Sequence, residues 1–125
     1  DNIGDVVVLD FYTMWCSYCQ VSAAIGNQIY LEYKDIGFNW ITLLVEDSNG
    51  EPPNIYDQQL WSGYFELDYP VIATNRDIID YNSENGYCIT SWPTFMVLDK
   101  DLKIAYIQKG WSEPALKNKI EEYLF

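Results

Sequence analysis

Apolar positions along the chain fall into short runs separated by turn formers. Val6-Val7-Val8-Leu9-Asp10-Phe11-Tyr12 is β-branched and apolar with only Asp10 interrupting it, the pattern of a strand buried on both faces of a parallel or mixed sheet. Residues 16 to about 34 predict a helix, with Val21, Ala24, Ile25, Gln28, Ile29 and Leu31 supplying much of one side and Gly37 as its stop. The run from Phe38 to Val45 predicts a second buried strand. Residues 47–54, Asp-Ser-Asn-Gly-Glu-Pro-Pro-Asn, predict a loop. From Ile55 to about Phe65 the spacing of Ile55, Gln58, Gln59 and Trp61 predicts a helix. A short strand over 70–73 and a further helix from Asp77 to Asn85 follow. Thr94–Leu98 and Leu102–Gln108 form a predicted hairpin around Asp99-Lys100-Asp101. Ser112 caps a final helix with Pro114 in its first turn and Leu116, Ile120 and Leu124 as its buried stripe.

The order is β-α-β-α-(β)-α-β-β-α. Strands alternating with helices imply parallel crossovers, and the late hairpin adds an antiparallel edge. The expected class is therefore α/β, a three-layer sandwich with a mixed central sheet flanked by helices. A chain of 125 residues fits a single domain over 1–125. At 49% hydrophobic and 17% aromatic residues it can bury a core without staples.

Charge narrows the partners. Seven Lys and Arg face nineteen Asp and Glu, a net charge of −12, which repels nucleic acid and anionic membrane surfaces. No apolar run is long enough for a transmembrane helix, so no membrane insertion is expected. The first residues carry no basic or long apolar signal region, so no signal peptide is read in this stretch. Histidine is absent, which excludes a Ser-His-Asp triad and every His-containing metal set.

Three cysteines remain, Cys16, Cys19 and Cys88. A strand running into Met14-Trp15-Cys16-Ser17-Tyr18-Cys19 and then a helix places Cys16 at a helix N-terminus. Orphan N–H groups and the helix dipole favour a thiolate there, and the thiolate is the nucleophile of disulfide exchange. Cys19 lies one turn deeper, able to close a disulfide with Cys16 and so resolve a mixed disulfide. Asp10 is a carboxylate inside an apolar strand, six residues before Cys16. Burial would raise its pKa and let it take the proton of Cys19. In Ser91-Trp92-Pro93-Thr94, a proline opening a buried strand removes a ladder donor, and a cis Trp92–Pro93 bond would explain that corner. Cys88 reads as a small buried apolar residue rather than a third redox thiol or ligand. Met14, Trp15, Tyr18 and Trp92 read as an apolar rim suited to docking another protein, Trp15 most clearly, while Met14 reads equally as core. Glu46, Asp47 and Glu51 read as a solvated acidic loop.

Together, Asp10 to Cys19 and Tyr87 to Asp101 resemble the thioredoxin-fold superfamily, in particular its TlpA-like and redoxin branch, and the likeness covers nearly the whole chain. It implies a thioredoxin-like sandwich with an insertion over roughly 47–85, before the cis-Pro strand. It also implies a thiol-disulfide oxidoreductase in which Cys16 attacks, Cys19 resolves and Asp10 shuttles protons. Trp15, Ser17, Tyr18, Trp92 and Pro93 would bound the partner groove. The implied partner is a protein dithiol or disulfide, met by a monomer without cofactor or metal, in a periplasmic or other extracytoplasmic compartment, with the cytoplasm left open. Three departures stand out. Ser22, Ala23 and Ala24 occupy the stretch where TlpA-like reductases often carry an acid and a proline. Ser17-Tyr18 matches neither the Gly-Pro of thioredoxins nor the Pro-His of strong periplasmic oxidants, so no redox direction is assigned. Trp92 is bulky for the residue before the cis-Pro. Three alternatives compete: a Cu(I)-handling module using the soft thiolates, a redoxin-type peroxidase, for which Thr13 has no accompanying proline, and a redox-inactive interaction domain.

Overall fold

The computed structural model describes residues 4–79 and 89–125. Eight main elements follow in order: β1 (Val6–Thr13), α1 (Ser17–Tyr33), β2 (Phe38–Glu46), α2 (Ile55–Tyr64), β3 (Val71–Ala73), β4 (Thr94–Leu98), β5 (Ile104–Lys109) and α3 (Glu113–Leu124). The five strands form one sheet in the order β3-β2-β1-β4-β5. The β1–β2 and β2–β3 pairs are parallel, and β1–β4 and β4–β5 are antiparallel. This is the mixed sheet expected from the alternation of strands and helices, with β1 at its centre.

Strand alternation sorts the core into two layers. Val6, Val8 and Tyr12 of β1, with Trp40 and Leu44 of β2 and Phe95 and Val97 of β4, face α1, Trp61 of α2 and the Leu116–Ile120–Leu124 stripe of α3. Each buried leucine or isoleucine of that stripe contributes roughly 1.5–3 kcal/mol. Leu9, Phe11, Ile41, Leu43, Val45 and Met96 face the opposite side, where Ile78, Ile79, Ile89 and Trp92 cover them. Asp10 and Thr42 fall on the α1 side by the same period of two.

The buried face of α1 departs from expectation. Of the expected face Ile29 is buried and Ile25 partly so, but Val21, Ala24, Gln28 and Leu31 are exposed, and Cys19, Ser22, Ala23, Gly26 and Tyr33 are buried in their place. The reason is close packing over large rings. Tyr69 stacks on Trp40 with centroids 5.4 Å apart, and a Cβ on Gly26 would sit 2.6 Å from the Tyr69 hydroxyl. Only small side chains fit between helix and sheet there. On α2, likewise, Ile55 is exposed and only Trp61 is buried.

Other boundaries shift for local reasons. Strand β5 starts at Ile104 rather than Leu102 because the Asp99 side chain accepts from the backbones of Asp101 and Lys103, and Leu102 takes a positive φ of 61° in that turn. A short 3-10 turn covers Arg76–Ile79 where a helix to Asn85 was expected. The rest of that expected helix, and Cys88, lie outside the described residues. Among the described residues no helix is long and apolar enough to cross a membrane.

Candidate functional site

Strand β1 delivers its last residues to one end of the sheet, and β4, antiparallel to it, begins there: Phe11 pairs with Thr94. The chain leaving β1 through Cys16 and the chain entering β4 through Pro93 therefore meet at the same end. The Trp92–Pro93 peptide bond is cis, and Pro93 is buried.

Cys16 is the N-cap of α1. Its backbone is extended (φ −84°, ψ 119°), and its sulfur accepts the Cys19 backbone N–H at 3.2 Å. The thiol thus does what a Ser or Asp cap does elsewhere, facing the orphan N–H groups of the first turn. Both described cysteines are free thiols. Cys16 keeps 6% of its surface exposed and Cys19 none. Burial, followed by the hydrogen bond with Cys16, pushes the Cys19 thiol well above its ordinary range.

Asp10 is fully buried beneath this turn. Its Oδ2 accepts from the Trp40 indole N–H at 2.5 Å and from the Thr42 hydroxyl at 2.8 Å. Burial is the largest influence on its carboxyl and pushes it up to about 8 against these donors, which pull it down. Asp10 in turn contributes to the upward shift of Cys19, so the two groups sense each other. The sequence singled out Asp10 but neither Trp40 nor Thr42. Their signal is legible only once β1 and β2 are placed in register, since Asp10 pairs with Thr42 and Val8 with Trp40.

The rim is partly as expected. Trp15 and Tyr18 are exposed at 48% and 65%, and Ser17 is exposed in the first turn of α1. Trp92 is half-buried and packs against both core layers. Met14 takes the second of its two readings and is buried in the α1-side core. Beside it, Met14, Gln20, Leu60, Trp61, Tyr64 and Phe65 line an open groove of about 300 Å³.

Glu46 is the residue that sequence reasoning misplaced. It is buried at the end of β2, not solvated in the acidic loop. The β1–β2 ladder skips Val45, pairing Tyr12 with Leu44 and then Thr13 with Glu46. That irregularity re-aims the strand end and brings the Glu46 carbonyl onto the Met14 N–H at 3.0 Å. The Glu46 carboxylate then accepts the Trp15 indole N–H at 2.8 Å and pairs with Arg76. A charged residue continuing an apolar strand without a break was the available signal. Among the described residues no group of three His, Cys, Asp or Glu side chains comes together as a metal site.

No family model matches the chain. Thiol-disulfide oxidoreductase ResA from Bacillus thuringiensis subsp. konkukian and from Bacillus cereus are each 30% identical to it over 125 residues, covering 99% of this chain and 64% of theirs. ResA from Geobacillus kaustophilus is 27% identical over 124 residues, with the same coverage. The chain thus spans just under two thirds of the length of these curated relatives. Among solved structures, the thioredoxin domain of a thiol-disulfide oxidoreductase from Bacteroides vulgatus superposes with a TM-score of 0.79 at 21% identity, covering 100% of this chain and 83% of that one. A thiol:disulfide interchange protein of the thioredoxin family from Chlorobium tepidum gives 0.79 at 18% identity, covering 99% and 83%. These superpositions show that the chain has the thioredoxin-like fold.

Proposed function

We propose that the chain is a thiol-disulfide oxidoreductase acting on protein disulfides, with Cys16 as nucleophile, Cys19 as resolving thiol and Asp10 as the base that serves Cys19. The observation that carries this reading is the stack at the start of α1: a sulfur that caps the helix, a second thiol one turn below it, and a buried carboxyl on the strand beneath. The names of the matched relatives agree with it.

Written for reduction of the partner, Cys16 thiolate attacks one sulfur of the partner disulfide. A Cys16–partner bond forms, the partner S–S bond breaks, and the released partner thiolate takes a proton from solvent. Cys19 then gives its proton to the Asp10 carboxylate and attacks the Cys16 sulfur. The Cys16–Cys19 bond forms, the Cys16–partner bond breaks, and the second partner thiolate is released and protonated. Two electrons pass from the Cys16/Cys19 dithiol to the partner, and a second dithiol partner returns them. The reverse sequence oxidises a dithiol with the same atoms. Asp10 supplies its base only when ionised, so resolution should accelerate with pH up to a midpoint near 8.

In this reading Trp15, Ser17 and Tyr18 on one side and Trp92-Pro93 on the other bound the groove that receives an extended segment around the partner cysteine. The same reading takes residues 1–125 as one monomeric domain with 47–85 as an insertion carrying α2 and β3. It places the protein in an oxidising extracytoplasmic compartment, where such a disulfide persists.

Replacing Cys16 with Ser tests the assignment. Exchange with both a protein disulfide and a small disulfide should vanish, while Cys19→Ser should trap a mixed disulfide on Cys16. Exchange that survives Cys16→Ser would overturn it.

A further inference from the structure

The two oxygens of Asp10 have different surroundings. Oδ2 accepts from Trp40 Nε1 at 2.5 Å and from Thr42 Oγ1 at 2.8 Å. Oδ1 has no hydrogen-bond partner among the described residues. Both donors come from β2, on the face that β1 and β2 turn toward α1, and both are uncharged. Tyr12 also lies on this face; its hydroxyl is 2.7 Å from Ser22 Oγ, and it is the weakest of the three groups that hold the Asp10 carboxyl down.

We infer that Trp40 and Thr42 are positioning residues for the resolving step: they clamp Oδ2, leave Oδ1 as the oxygen that exchanges a proton with Cys19, and set how strongly the carboxylate holds that proton. This rests on the oxidoreductase reading above. Hydrogen bonds to a carboxylate favour its ionised form, so each donor holds down a carboxyl that burial drives up. The titratable groups facing Asp10 are Cys19 from α1, Tyr12 from β1 itself and Tyr69 from the segment before β3. All three are pushed upward, chiefly by burial. On β4, Asp10 pairs with Phe95, which does not titrate. Within this group Asp10 is therefore the one whose proton moves near neutral pH, and the clamp decides at what pH it does so. The Trp40 ring is itself held by its stack on Tyr69 and an edge contact with Phe95, so the indole N–H has little freedom to leave the carboxylate.

The test follows the carboxyl of Asp10 by carbon-13 NMR in the reduced, aspartate-labelled protein, with Asp10→Asn identifying the signal. In parallel, closure of the Cys16–Cys19 disulfide is timed from a mixed disulfide of Cys16 with a chromophoric aromatic thiol. Thr42→Val removes one donor at nearly constant volume and should raise the Asp10 midpoint by about 1 pH unit. Closure at pH 7 should slow about tenfold, converging on wild type at high pH. Thr42→Ser restores the hydroxyl and should restore both readings; Trp40→Phe, where it folds, should act like Thr42→Val. A Thr42→Val protein with unchanged midpoint and closure, or a folded Thr42→Ser protein that behaves like it, would overturn the clamp. If the wild type fails to close a disulfide at all, the oxidoreductase reading fails, while the Asp10 midpoint still reports whether the two donors hold its carboxylate.

Discussion

Helix α1 begins between two unlike surroundings. Beneath it, Asp10, Trp40 and Thr42 are fully buried, held by short hydrogen bonds to uncharged donors. Above it, Trp15 and Tyr18 stand in solvent, and Trp15 is held from behind by the carboxylate of Glu46, itself paired with the exposed Arg76. The lower region shows chemistry set by desolvation. Burial keeps Asp10 and Cys19 from ionising at their usual pH, so a small change in partners moves a proton. In the proposed function the upper region is the recognition surface, where ring placement matters and the surrounding charges are screened by water. The two demand opposite substitutions. Below, an isosteric change alters the reaction; above, loss of a ring alters binding.

The largest expected effect lies below. Asp10 titrates near 8 in the folded protein but near 3.8 when unfolded. A raised carboxyl keeps its proton in the native state while the unfolded state loses it. Its contribution to stability is therefore intact below about 4 and is lost progressively as pH rises to about 8. Urea unfolding of the reduced wild type should lose on the order of 5 kcal/mol across that window from this group. Asp10→Asn should remove this pH dependence and be the more stable protein at pH 8. Equal slopes in the two proteins would mean that the carboxyl is not desolvated.

Next in size is the layer that spaces α1 from the sheet. Gly26→Ala gains about 1 kcal/mol of helix propensity. Its methyl would nevertheless meet the buried Tyr69 hydroxyl at 2.6 Å and the Trp40 ring at 3.5 Å. Overpacking of this kind costs typically 1–3 kcal/mol, so a net loss of roughly 1–2 kcal/mol is expected in thermal or urea unfolding. A stabilised variant would show that the aromatic layer yields.

The rim should respond more weakly in stability and more clearly in exchange. Glu46→Ala releases both Trp15 and Arg76 and should cost roughly 1–2 kcal/mol, with slower exchange toward protein disulfides. Arg76→Gln should cost no more than about 1 kcal/mol, because Arg76 is 65% exposed and its ion pair is screened. Tyr18→Ala should leave stability within about 0.5 kcal/mol. Its effect should appear as a raised KM for a protein disulfide with exchange of a small disulfide unchanged, measured side by side. An equal loss on both substrates would place Tyr18 in the chemistry rather than in docking.

The same contrast explains what was legible in the sequence. Strand β1, the Cys16 cap and Asp10 are local signals: an apolar run, a Cys-x-x-Cys spacing, and one charge where none is expected. Hydrophobic periodicity misread α1 because its buried face is built of Ser22, Ala23 and Gly26. Their value is small size against Trp40 and Tyr69, which no helical pattern records. Trp40 and Thr42 acquire their role only through the β1–β2 register, and Glu46 only through the ladder irregularity at Val45. Each lies more than 25 residues from the group it serves, so the information is tertiary. Met14, beside Trp15, reads equally as rim or core from the sequence, and the turn after β1 puts it in the core.

The central claim is that Cys16 and Cys19 form a reversible two-electron couple. Equilibrating the protein against glutathione buffers, trapping free thiols and mapping the alkylated peptides tests it most directly. The account predicts one transition in which Cys16 and Cys19 lose and regain their thiols together. A potential near about −270 mV marks a reductase and one near about −120 mV an oxidant. A protein in which Cys16 and Cys19 never pair, whatever the buffer, would contradict it.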